Sequence, residues 1–192
     1  MKSGLFAGAL ALACSAAATT RPPALFIDHP FVEQVRCQEG LGTAFQVRPG
    51  IFYSVAHVMR MTGCKINGLP VLLTYVNAEE DFAIVSVASR VRGGIEINCA
   101  GFTDGEFYFA DGFAGGGQVE RMLTVRADRF RTLIQGAGRF IVFYGDPTFI
   151  PGMSGGPVLD SSGRVVGMIN AYNLQTSSSY SRPLSETPAC SQ

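Results

Sequence analysis

The chain carries no excess of charge. Its 15 Lys and Arg offset 15 Asp and Glu, for a formal net charge of +0. Such a balance lacks the broad basic field that nucleic-acid binding needs and gives no sign of a highly charged partner. Beyond the first residues there is no apolar run long enough for a transmembrane helix, so no membrane span is expected. No repeat of fixed period appears. Histidine is scarce, with only His29 and His57, and the cysteines lack zinc-ligand spacing, so neither a metal nor an organic cofactor is expected. Glycine and proline, by contrast, are plentiful. The 23 glycines and 10 prolines favour many short strands and turns over long helices. With 192 residues the chain is long enough for one folding unit burying about 70% of its unfolded surface.

The most informative stretch is Gly152-Met153-Ser154-Gly155-Gly156-Pro157. By itself it reads as a turn between strands that exposes a serine. Its glycines also suit a nucleophile: Gly152 permits a sharp turn that aims the N–H groups of Gly152 and Ser154 at a developing oxyanion. Gly155 and Gly156 are expected to leave a substrate carbonyl room to approach, and Pro157 to open a strand. A nucleophilic serine needs a base. His29 sits in the turn Asp28-His29-Pro30, which leaves His57, in Ser54-Val55-Ala56-His57-Val58, as the candidate. Asp81 stands at the mouth of the apolar run Phe82–Val87, where it can accept the imidazole N–H and steady the cation formed on proton transfer.

From Phe31 onward, short apolar runs alternate with Gly-rich breaks, the pattern of an all-β domain. Strands are predicted at Ala44–Val47, Ile51–Ser54, Val71–Tyr75, Phe82–Val87, Glu106–Phe109, Met122–Val125, Phe140–Tyr144, Pro157–Leu159 and Val165–Asn170, with a hairpin turn at Asp160-Ser161-Ser162-Gly163. Arg121, Arg126, Arg129 and Arg131, with Asp128 among them, read as the solvated face of a strand pair. The serine-rich stretch after Tyr172 receives no element.

The order His57, Asp81, Ser154 is neither the Ser–acid–His of nucleophile-elbow hydrolases nor the Asp–His–Ser of subtilisins. It resembles the trypsin-like serine proteases. Gly42-Thr43-Ala44-Phe45 is similar to that family's first-barrel strand, and Val55-Ala56-His57 to its histidine motif. Asp81-Phe82-Ala83-Ile84-Val85 matches its aspartate motif, Gly152 to Pro157 its nucleophile loop, and Val165–Asn170 the strand that follows. The resemblance implies two packed antiparallel six-stranded β-barrels, about 31–98 and 99–175, with a crossover near 96–104 and a tail at 176–192. The active site would lie in the cleft between them. It implies a serine endopeptidase acting on polypeptides through an acyl-enzyme, with His57, Asp81 and Ser154 catalytic and the N–H groups of Gly152 and Ser154 as the oxyanion hole. The alternatives are a catalytically inactive binding module on the same fold, or an esterase with the same triad.

Two departures refine the resemblance. Met153 stands where zymogens of the family carry an aspartate, so activation through a buried N-terminal ion pair is not expected. Asp146 lies eight residues before Ser154, as in HtrA-like members, although the chain stops short of the PDZ domain those usually carry. By the same resemblance, Thr148, Phe149, Asn170, Ala171 and Tyr172 line a neutral specificity pocket for small or medium apolar side chains.

The N-terminus reads as an export signal, residues 1–18. Lys2 is followed by the apolar Gly4–Ala13 and small residues at Ala16-Ala17-Ala18. Residues 19–30 form an extended leader into the fold. The protein is therefore expected in the periplasm or outside the cell. Ala11-Leu12-Ala13-Cys14 is also similar to a lipoprotein processing site, with Ala11 in place of the usual leucine, which would anchor the chain through Cys14. Cys37, Cys64, Cys99 and Cys190 remain, an even set suited to an oxidising compartment, with three connectivities open. The family has a bridge comparable to Cys37–Cys64, although there the second cysteine directly follows the histidine. Cys99–Cys190 would then pin the C-terminal end.

Overall fold

The computed structural model describes residues 25–26, 30–88, 92–103, 106–117, 119–123, 132–135, 138–144, 149–173, 175 and 178–191. The signal segment, Cys14, His29, Asp146, Thr148 and the basic residues from 126 to 131 lie outside the described residues. Strands dominate. The α-helix Ala56–Met59 and two short 3₁₀ turns are the only helices among the described residues.

Seven strands form the first antiparallel sheet, in the spatial order Leu69–Pro70, Lys65–Ile66, Val32–Arg36, Leu41–Arg48, Ile51–Ser54, Phe82–Ser86, Leu72–Asn77. Eight form the second: Leu25–Phe26, Val119–Leu123, Phe109–Phe113, Pro157–Leu159, Val165–Asn173, Ser178–Pro183, Gly138–Tyr144, Thr132–Gln135. This is the all-β, two-barrel architecture of the trypsin-like proteases, with short edge strands raising the count above six in each half. Leu25–Phe26, within the expected leader, is one of these edges and pairs with Arg121 and Glu120.

The strand Leu41–Arg48 is buried on both faces from Gly42 to Gln46, because it lies at the junction of the halves. Phe45 packs into the first core, where Tyr53 meets Phe45 and Phe82 edge-on at centroid distances of 5.9 and 5.2 Å. That core also takes in Leu159, Val165, Met168 and Leu184 from the second half, so the two halves share apolar contacts. A second core gathers Tyr108, Ile141, Phe143, Phe149, Met153, Val158 and Ile169. The chain crosses between the halves through residues 95–99. There Ile97 bridges Val165 in parallel, and the Cys99–Cys190 disulfide ties the crossover to the C-terminal end.

Three differences from the predicted strands have physical causes. The strand placed at Glu106–Phe109 lies instead at Phe109–Phe113, because the Tyr108 hydroxyl closes a loop by bonding back to Thr103. Val32–Arg36, in a stretch given no strand, pairs on both edges. Ser178–Pro183, read as tail, is an interior strand paired on both sides. Its buried hydroxyls are satisfied: Ser179 Oγ accepts from Phe149 N at 2.9 Å and Ser181 Oγ donates to Met168 O at 3.0 Å. A polar sequence can therefore form the inside of this sheet.

Candidate active site

His57 sits on the single turn Ala56–Met59, which is anchored by buried Ala56, Val58 and Met59 while His57 faces outward. The Cys37–Cys64 disulfide closes the loop around this turn, over a sequence separation of 27 residues. Loop closure of that length contributes about 3.5 kcal/mol. Asp81 arrives from a tight turn in which Asn77 Oδ1 accepts from the main-chain N–H groups of Glu79 and Glu80 at 3.0 and 3.1 Å. The turn leaves Asp81 at φ 47°, a left-handed conformation that aspartate tolerates at a cost on the order of 1 kcal/mol.

That conformation sets the carboxylate across the N-terminal end of the His57 turn. Oδ1 accepts from His57 N at 2.7 Å and Oδ2 lies 2.7 Å from His57 Nδ1. The Asn170 side-chain amide also donates to Oδ2. The side chain of Asp81 is 18% exposed and that of His57 45%. Burial on its own would raise the Asp81 pKa. The bonds and charge from His57, together with the Asn170 bond, outweigh it and hold the carboxyl below its usual value. An ionised carboxylate only accepts, so Nδ1 carries a hydrogen toward it, and of the two neutral tautomers this one leaves the lone pair on Nε2.

Ser154 precedes the strand Pro157–Leu159, on the second half of the molecule. Its hydroxyl donates to the main-chain carbonyl of Asn170 at 3.2 Å. Asn170 thus touches both neighbours, Ser154 through its main chain and Asp81 through its side chain. The structure brings His57 and Asp81 into direct contact and places Ser154 one residue away from that pair, across Asn170.

The loop around Ser154 is held at every peptide. In a trans peptide the C=O and N–H point in opposite directions, so fixing one aims the other. Pro151 O accepts from Gly115 N at 2.8 Å, which aims the Gly152 N–H; Met153 O accepts from Gly156 N at 2.9 Å, which aims the Ser154 N–H. Among the described residues, neither of these two N–H groups meets a protein acceptor. Gly152 has φ 96° and Gly155 φ 90°, where glycine is strongly preferred. A side chain at Gly155 would strike Thr43 O and Ser54 Oγ, and one at Gly156 would strike Asp111 O. These two glycines therefore serve internal packing, not an open approach for substrate. Met153 is fully buried in the second core, an apolar anchor where zymogens place a charge.

The residues assigned to the specificity pocket separate. Phe149 is 1% exposed, its ring edge-on to Phe143 at 6.0 Å, and so presents no surface. Asn170 has its side chain committed to Asp81. Ala171 is exposed and Tyr172 half-buried. Pairing with Pro157–Leu159 ends at Met168, so the edge at Ala171 and Tyr172 on that side is unpaired by that strand. Sequence reasoning missed the Asn170 side-chain bond and the bonds of the buried Thr43 hydroxyl, which donates to Gly152 O at 2.7 Å and accepts from Phe113 N at 3.0 Å. Among the described residues no three His, Cys, Asp or Glu side chains gather closely enough to hold a metal ion.

A family model described as a trypsin-like peptidase domain matches residues 42–168, the stretch containing His57, Asp81 and Ser154. The chain belongs to the trypsin-like peptidase family. Among solved structures, the active form of the Rv3671c protease from M. tuberculosis shares its fold with a TM-score of 0.67 and 20% identity, over 82% of this chain and 77% of that one. The inactive form of that protease gives 0.71 and 19%, over 82% and 85%. The HtrA-type protease AlgW with tripeptide gives 0.66 and 20%, over 80% of this chain and 56% of the other. No curated protein sequence matches the chain. As in other trypsin-like peptidases, the site lies where the two halves meet.

Proposed function

We propose that the protein is a serine endopeptidase that cleaves polypeptides through an acyl-enzyme. Ser154 Oγ attacks the scissile carbonyl as its proton passes to His57 Nε2. His57 then returns that proton to the leaving amine, and a water repeats the cycle to free the acyl group. Asp81 holds the imidazole in the required tautomer and stabilises its cation. The N–H groups of Gly152 and Ser154 receive the oxyanion, each donor contributing about 3–4 kcal/mol in comparable sites. The observation that carries this reading is the Asp81 carboxylate. It is ionised below its usual range and bonded to both the ring and the main chain of His57, so the free ring nitrogen is a base.

The edge at Ala171 and Tyr172, left unpaired by Pro157–Leu159 among the described residues, suits an extended substrate strand. Tyr172 beside it is the wall of a neutral specificity pocket that takes small or medium apolar side chains. Two disulfides support export to an oxidising compartment, periplasmic or extracellular. A fluorophosphonate probe tests the nucleophile. Labelling is expected on Ser154 of the wild-type protein and absent from Ser154→Ala and His57→Ala. An unlabelled wild type would favour an inactive binding module.

A further inference from the structure

Thr43 is completely buried, yet every polar atom it has is used, and each bond reaches a different part of the site. Its N–H donates to Ser154 O at 2.8 Å. Its carbonyl accepts from Ser54 Oγ at 2.7 Å, three residues before His57. Its hydroxyl donates to Gly152 O at 2.7 Å and accepts from Phe113 N at 3.0 Å. A hydroxyl has one hydrogen to give, and here it goes to the carbonyl of Gly152.

We propose that Thr43 is the positioning residue of the oxyanion-binding loop, its hydroxyl fixing the backbone of Gly152 against the end of the strand Phe109–Phe113. This rests on the reading of the Gly152 and Ser154 N–H groups given above. The hydroxyl acts on Gly152 from two sides. Directly, it sets the Gly152–Met153 peptide through the carbonyl. Indirectly, it holds Phe113, and two residues on Gly115 N binds Pro151 O at 2.8 Å, which aims the Gly152 N–H. Without the hydroxyl, Gly152 O and Phe113 N lose their partners together. The turn at Gly152 is then held, among the described residues, only through Pro151 O and Met153 N, and a rotation of the Pro151–Gly152 peptide that breaks the Gly115 bond presents a carbonyl where the developing anion needs a donor. Among the described residues the Thr43 hydroxyl bonds to Gly152 O and Phe113 N and to none of the triad side chains, so the loss falls on the transition state, not on substrate binding.

The test compares Thr43→Val, which keeps the shape and removes the hydroxyl, with Thr43→Ser, which keeps the hydroxyl, in peptide hydrolysis. Thr43→Val is expected to lower kcat about 100-fold, the scale of one lost oxyanion donor, with KM unchanged, while Thr43→Ser retains the kcat of the wild type. An active wild type with unchanged kcat in Thr43→Val overturns this inference alone. So does a rise in KM with kcat intact. If Thr43→Val does not fold, Thr43→Ser decides: wild-type kcat supports the hydroxyl as the agent, and a deep fall in kcat in the folded Ser variant overturns it. A wild type that hydrolyses no peptide overturns the functional reading and this inference with it.

Discussion

Single carboxylates organise two of the tightest corners of the molecule. Asp81 gathers His57 and Asn170. Asp160 closes the hairpin turn before Val165–Asn173, accepting from Ser162 N, Arg164 N, Arg164 Nε and Asn98 Nδ2 at 2.9 to 3.1 Å. Burial would raise the Asp160 pKa, but these bonds prevail and lower it. A lowered folded-state pKa means stability that is fully present above the unfolded value of about 3.9 and is lost as pH falls through the folded one. Asp160→Ala is therefore expected to cost about 1–3 kcal/mol at pH 7. The gap to wild type should close as acid protonates the carboxylate, as followed by urea unfolding across the pH range. A gap independent of pH would contradict the assignment. At this scale the sequence singles out His57, Asp81 and Ser154, because the proposed chemistry restricts such positions to few residue types and a fixed order, and the structure brings His57 and Asp81 into contact, with Ser154 across Asn170. Thr43 and the Asn170 amide were not readable. Their roles depend on which atoms lie across from them, and no local pattern encodes that.

Elements were legible where apolar content marked them. Ile51–Ser54 and Pro157–Leu159 match their predicted bounds, and Phe82–Ser86 ends one residue short of the predicted Val87. The second half was harder to read. Ser178–Pro183 looks like a solvated tail by composition, but it fills the sheet between Val165–Asn173 and Gly138–Tyr144. Its serines spend their hydroxyls on neighbouring backbone, which hides a strand from any reading based on hydrophobicity. A chain ending at Gln175 is accordingly expected not to fold. It would leave two interior edges unpaired, remove the Leu184 contribution to the first core and delete Cys190. Circular dichroism and limited proteolysis check this: a cooperative melt from the truncated chain would show that the strand is dispensable.

At the scale of the whole molecule, two curled sheets meet along Leu41–Arg48, and the groups in the proposed mechanism come from both sides of that junction. His57 and Asp81 belong to the first half, Ser154 and Asn170 to the second, and Thr43 is bonded across it. Two disulfides brace this arrangement, one around the His57 turn and one between the crossover and the C-terminal end. Closing the 91-residue loop between Cys99 and Cys190 contributes about 4.6 kcal/mol, more than the shorter bridge. Buried Met153 and the pinned peptides on either side of it give the loop around Ser154 its shape without a charged anchor. The account stands on Ser154 as the attacking group. Its most direct test is hydrolysis of an unstructured protein substrate by the purified wild type and by Ser154→Ala. The expected result is cleavage by the wild type and a loss on the order of 10⁶-fold in the variant. Undiminished cleavage by Ser154→Ala would contradict it.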